Sequence, residues 1–175
     1  MPFQALFEWM NELPSSIALR QSLNAYPILL TLHVVSMAAF GGLIALLDLR
    51  LVGIGYQSVP VSKITERVFP WMFVGFFVSI VTGFLLAYSK PMTYFPNFYF
   101  WVKNGLMILA GLNAGLFHLT TEQSVKEWEN DLVTPPAARF AGIASLVMWA
   151  GIIITGRMIA YSALVPQWWV DFTAN

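Results

Sequence analysis

Cysteine is missing from all 175 residues. Its absence removes disulfides, thiolate nucleophiles and cysteine-bearing metal sites, and it leaves the redox compartment open. Charge is nearly as scarce. Charged residues make up 10% of the chain, against about 25% in soluble domains. Nine Lys and Arg balance nine Asp and Glu, so there is no basic excess to hold nucleic acid or a polyanionic surface. Histidine is limited to His33 and His118. No HExxH, phosphate loop or dinucleotide fingerprint occurs. Ser15, Ser16 and Ser145 have no histidine–carboxylate partner within sequence reach. Internal repeats and broken helices of the transporter kind are not evident. Two histidines with scattered methionines specify a copper relay poorly.

What the chain has in quantity is apolar sequence, at 58% hydrophobic residues. The longest stretch, Tyr26 to Leu47, carries no formal charge and ends at Asp48 and Arg50. An apolar run of about 20 residues matches the hydrocarbon core of a bilayer. Three more such runs follow: Val68 to Ser89, Phe98 to Thr120, and one from about Ala138 into GRMIAYSAL. The expected fold is all-α, an integral membrane four-helix bundle. Residues 26–165 form the bundle, between an amphipathic segment at 1–25 and an aromatic tail at 166–175.

The first 25 residues lack the basic region and cleavage site of a signal peptide. Phe3, Leu6, Phe7, Met10 and Leu13 recur at helical spacing instead. Pro14 breaks that helix, and Ser15 or Ser16 can cap a second, short one. The segment reads as lying in the membrane interface; packing on the bundle's mouth or on a partner subunit is the alternative. Gln57 to Arg67 reads as a polar loop, with Pro70 in the first turn of the second span. The aromatic cluster from Tyr94 to Trp101 reads as an interfacial belt, and Glu122 to Asp131 as a charged loop. Small residues recur at Gly75, Ser79 and Gly83, and again at Ala110, Gly111, Ala114 and Gly115. They suit close helix packing or a flat cofactor.

Counting cations by side gives an orientation. Arg20, Lys90, Lys103 and Arg157 fall on one side, and Arg50, Lys63, Arg67, Lys126 and Arg139 on the other. Lys103 and Arg157 are embedded and count less, which puts both termini outside the cytoplasm.

Charges within a span are costly and face the bundle interior or a wet cavity. His33 lies about 11 Å into its helix from the outer side. Lys103 and Arg157 enter near the same level. His118 lies about 28 Å along the third span, towards Asp48, Arg50, Arg67 and Arg139. The two histidines therefore differ too much in depth to clamp one iron. Two readings stay open. In one, His33 alone, or with Met107 or Met158, ligates a haem iron while Lys103 and Arg157 pair the propionates. In the other, both histidines are hydrogen-bonded across helices and the cations snorkel.

The pieces YPILLTLHVVSM, LLDLRLVG, VTGFLLAYSKP, KNGLMILAGLNAGLFH, RFAGIASLVMWAGII and GRMIAY resemble an uncharacterised bacterial family of four-span inner-membrane proteins. They cover nearly the whole chain, and DLRLVG and GRMIAY are its more specific parts. More distantly, the layout is similar to that of HemJ-type protoporphyrinogen oxidases and copper-resistance D proteins. There a first-span histidine precedes a glycine pair and a basic residue, and a later span carries a lysine and a histidine. His33, Gly41–Gly42, Arg50, Lys103 and His118 fit this layout. The chain departs from it in its amphipathic N-terminus and in GRMIAY. The resemblance implies haem b at His33, with the metal on His33, a role for Lys103 in activity, and His118 and Arg50 as further cofactor-binding candidates; Arg157 joins them by its depth alone. The expected function is electron transfer or oxidation of a membrane-soluble substrate. A non-catalytic accessory subunit, bound to a membrane-protein partner or to a second copy, is the alternative from another class.

Overall fold

The computed structural model describes residues 2–120, 125–129 and 133–174. Two short helices, α1 (Pro2–Glu12) and α2 (Pro14–Gln21), precede the first long one, α3 (Ala25–Val52). Then come α4 (Val61–Ser89), a single turn α5 (Pro91–Tyr94), α6 (Phe98–Thr120), a second single turn α7 (Val125–Trp128), α8 (Pro136–Met158) and α9 (Gln167–Ala174). The four long helices are each long and apolar enough to cross a membrane and pack as a bundle. Their outward faces carry exposed Phe69, Trp71, Phe77 and Phe84 on α4, and Ile108, Leu112 and Leu116 on α6. Lipid takes such faces directly, while helices satisfy every backbone hydrogen bond internally. The chain is a multi-pass membrane protein.

Local chemistry sets the ends of the spans. Ser22 Oγ accepts the Ala25 amide 3.1 Å away at the start of α3. Gly53, at φ +85°, ends α3 by donating its amide to Arg50 O and Leu49 O, a left-handed cap that favours glycine. Asn97 Oδ1 accepts the amides of Tyr99 and Phe100 at the head of α6. Its Nδ2 donates to Ile159 O, 3.1 Å away, and ties that turn to the end of α8.

Four expectations need correction. The second span begins at Val61, so Lys63, Glu66 and Arg67 ride on the first turns of α4 and do not form a loop. Pro70 consequently lies inside α4. Neither Ser15 nor Ser16 caps α2, because Pro14 opens that helix without a side-chain cap. Ser16, fully buried, donates to Tyr88 O at 2.8 Å, and Ser15 bonds the Tyr88 hydroxyl. Both serines thus fasten α2 to the end of α4. Within the charged stretch from Glu122 to Asp131, residues 122–124 and 130–131 lie outside the described residues, and Val125–Trp128 form the turn α7 in place of the expected loop.

Packing follows the small residues. The Gly75 backbone rests on Phe40, where an added Cβ would stand 3.1 Å from Phe40 Cβ. Gly142 meets Asp48 O and Leu51 Cβ in the same way, and Gly151 meets Leu106. Helix α3 packs between α4 and α8, and α6 packs on the far side of α8. Among the described residues α4 and α6 have no comparable seam, so the bundle is open between them.

Each end of the bundle has its own fastening. At one end Phe7 of α1 stacks near Phe95 and Trp101, at 5.1 and 6.2 Å between centroids. Trp169 of α9 donates to Pro96 O at 3.0 Å. Both terminal helices therefore dock beside the α4–α6 connection, while Leu6 and Trp9 of α1 stay exposed. At the other end Arg50, 1% exposed, donates to Val59 O, Thr134 Oγ1 and Glu129 O at 2.9, 3.3 and 3.0 Å. One guanidinium thus joins three segments over a cluster of Leu51, Val61, Val125, Trp128 and Ala138.

Candidate functional site

Two features stand inside the bundle: a polar cluster around His33 and a cavity beyond it. His33 of α3 places Nδ1 3.0 Å from Ser79 O and 3.1 Å from Thr82 Oγ1 on α4. A backbone carbonyl only accepts, so Nδ1 carries the proton. The Thr82 hydroxyl donates to Val78 O at 2.6 Å, which leaves its oxygen free to accept from the ring. In the neutral ring Nε2 is then the acceptor, and Lys103 Nζ of α6 stands 3.3 Å from it. Ser36 donates to His33 O at 3.0 Å and bonds Ser79 Oγ at 2.9 Å. The lysine reaches across the bundle beside Gly156, where an added Cβ would stand 3.7 Å from its stem. Gly83 lets the ring lie flat on α4, where a Cβ would stand 2.9 Å from His33 Cε1.

That last contact carries a prediction. Gly83→Val should lower stability by about 1–3 kcal/mol, since an inserted group must push the ring aside. Gly41→Ala, which meets nothing within 4 Å, is the matched control and should leave the apparent melting temperature unchanged.

The cavity, about 550 Å³, lies between α4 and α6, with α3 and α8 as its floor. Its walls are nearly all apolar; Asp48, Asn104, Asn113 and Ser145 supply the polar groups. Phe40, tilted against Phe76 and edge-on to Trp149 at 5.4 and 5.0 Å, stands at the cavity edge. It lies seven residues along α3 from His33, about 10 Å of helix rise. His33 and Lys103 do not line the cavity. The seam Ala110, Gly111 and Ala114 does, and an added Cβ at Gly111 would meet nothing within 4 Å.

Of the residues singled out from the sequence, His33 and Lys103 come together as expected. Arg157 does not join them. It is exposed, donates to Tyr161 Oη at 2.8 Å and lies over that ring. Depth along a helix sets its level, but rotation turns it away. His118 is exposed near the other end of α6, so the two histidines remain apart. Arg50 is spent on joining connections, and Asp48 bonds Ser145 and not the neighbouring arginines. The face of Gly75, Ser79 and Gly83 is filled by α3 itself, with no room for a macrocycle. Among the described residues no three His, Asp or Glu side chains gather where a metal could sit. An iron on His33 would have to displace Lys103 Nζ, which stands 3.3 Å from Nε2.

Sequence reasoning missed Ser36, Ser79 and Thr82 as partners of His33. Their spacing, one turn from His33 and one turn from each other, was the available signal.

The family model that matches covers residues 24–162, the four spans with their connections. The chain belongs to DUF6644, a family of unknown function. No curated protein and no solved structure matches it.

Proposed function

We propose that this DUF6644 protein binds a membrane-soluble, largely apolar molecule, admitted sideways from the bilayer between α4 and α6. The cavity carries this reading. Its apolar walls, size and lateral opening suit a ligand that arrives through lipid. The test is saturable binding of tritiated pyrene, a neutral apolar probe, to the detergent-purified full chain. Binding at one per chain supports the reading, and a non-saturable signal equal to empty micelles overturns it. Cross-linking of a stoichiometric partner helix to both α4 and α6 would instead favour the accessory-subunit alternative.

A haem b on His33, serving redox chemistry, is the second reading. Its support is the Nδ1–H bond to a backbone carbonyl, the arrangement that leaves Nε2 available as a ligand, together with the layout shared with HemJ-type proteins. It requires Lys103 to leave Nε2. No Soret band in protein expressed with added haem would remove it.

The reading extends to orientation, with the bacterial inner membrane as location and both termini outside the cytoplasm. The chain has no native cysteine, so single cysteines report cleanly. Leu23→Cys, at a position 91% exposed, should react with an impermeant maleimide in intact cells, and Ser58→Cys only after permeabilisation. The reverse pattern would invert the orientation.

A further inference from the structure

We propose that the cavity is selective for lipophilic cations, and that Asp48 is the group that recognises them. This inference rests on the cavity reading above and adds the charge of the ligand. Asp48 lines the cavity and is 5% exposed. Ser145 bonds its carboxylate, but Oδ2 is buried with no hydrogen-bond partner. A carboxylate oxygen left unpaired within a membrane helix is costly, and such groups mark ligand or ion sites.

The surroundings decide the sign of the missing partner. Among the described residues no Lys, Arg or His lines the cavity. Arg50, two residues further along α3, is bonded to Val59, Thr134 and Glu129. The nearby polar side chains are engaged in part within the protein: Ser145 with Asp48, Asn113 Nδ2 with Ala141 O at 3.0 Å, and Asn104 Nδ2 with Phe100 O at 2.7 Å; all are neutral. An arriving anion would find no cation to meet it. An arriving cation would meet the carboxylate charge of Asp48 in the wall, whose buried Oδ2 has no hydrogen-bond partner to neutralise it. Trp149, one turn along α8 from Ser145, adds an aromatic face in the same cavity, and such faces attract cations.

Energetics sharpen the choice. A ligand that leaves lipid for the cavity gains packing contacts with its walls but little from the hydrophobic effect, because lipid tails are equally apolar. Discrimination by charge must therefore come from the polar groups, and among the described residues Asp48 Oδ2 is the buried side-chain atom without a hydrogen-bond partner.

Tetraphenylphosphonium and tetraphenylborate share a shape and differ in the sign of their charge, so they form the test pair. Equilibrium dialysis of the full chain in a neutral detergent should give saturable phosphonium binding. Borate should bind about tenfold more weakly or worse, a difference of 1.4 kcal/mol. Asp48→Asn should lose about tenfold or more in phosphonium affinity, while Asp48→Glu should retain it. Equal affinity for the two ions, or an unchanged phosphonium affinity in Asp48→Asn, overturns the inference. The two-ion comparison uses the natural chain, so it stands even if the Asn variant fails to fold. Pyrene separates the two layers: if pyrene binds and charge makes no difference, only this inference falls. If pyrene does not bind either, the cavity reading falls with it.

Discussion

Arg50→Leu should lower the apparent melting temperature of the purified protein by about 5–10 °C, at roughly 2–4 °C per kcal/mol for a chain of this size. The guanidinium is buried and donates to two backbone carbonyls and one hydroxyl from separate connections. Leucine fills part of the volume but leaves Val59 O and Glu129 O without their donor. Each buried group left unsatisfied costs about 1–3 kcal/mol. Part of that loss is offset, because the desolvation cost of the buried cation disappears with it. The net expectation is about 2–4 kcal/mol. Arg50→Lys should fall in between, since an ammonium cannot span three divergent acceptors as a planar fork does. A thermal shift below about 2 °C, less than 1 kcal/mol, would show that the connections hold without it. Glu129 contributes separately by accepting the Ser62 amide at the head of α4 through Oε2.

Gly111→Phe should abolish probe binding and leave the fold intact. Gly111 lines the cavity, and an added side chain meets open space. The benzyl group can therefore enter without displacing a helix, unlike a substitution at Gly142 or Gly151, where neighbours stand within 3.2 Å. A filled cavity excludes the ligand sterically, and pyrene affinity should fall on the order of tenfold or more. The apparent melting temperature should hold or rise, since filling a void restores lost van der Waals contacts. Unaltered pyrene binding in a folded Gly111→Phe protein would move the site elsewhere.

Much of this architecture could be read from residues alone. Phe98 to Thr120 coincides with α6 at both ends, because Asn97 is a strong cap and polar residues follow Thr120. The start of α4 was hidden, because Lys63, Glu66 and Arg67 look like a loop while sitting on a helix that extends beyond the apolar core. The meeting of His33 and Lys103 followed from depth, at 1.5 Å per residue. The outward turn of Arg157 did not, since rotation depends on which face α8 buries. Arg50 stood as a cofactor-binding candidate through the layout shared with HemJ-type proteins, and two of its three partners, Glu129 and Thr134, lie 79 and 84 residues further along the chain. The cavity had only a faint signature. It exists because two helices fail to pack, and its one legible trace, the seam of small residues in α6, reads equally well as a packing surface. Asp48 could be seen closing the first span, but its unpaired oxygen depends on Ser145, almost a hundred residues later.

The most direct test of the lateral cavity is to find where a neutral, photoactivatable pyrene derivative attaches in the full chain reconstituted in lipid nanodiscs. Peptide mapping after brief illumination is expected to place the label on cavity residues such as Met72, Met107 and Phe117, with excess unlabelled pyrene suppressing it. Label confined to the lipid-facing Trp71, Leu112 and Val147, and indifferent to competitor, would contradict the account.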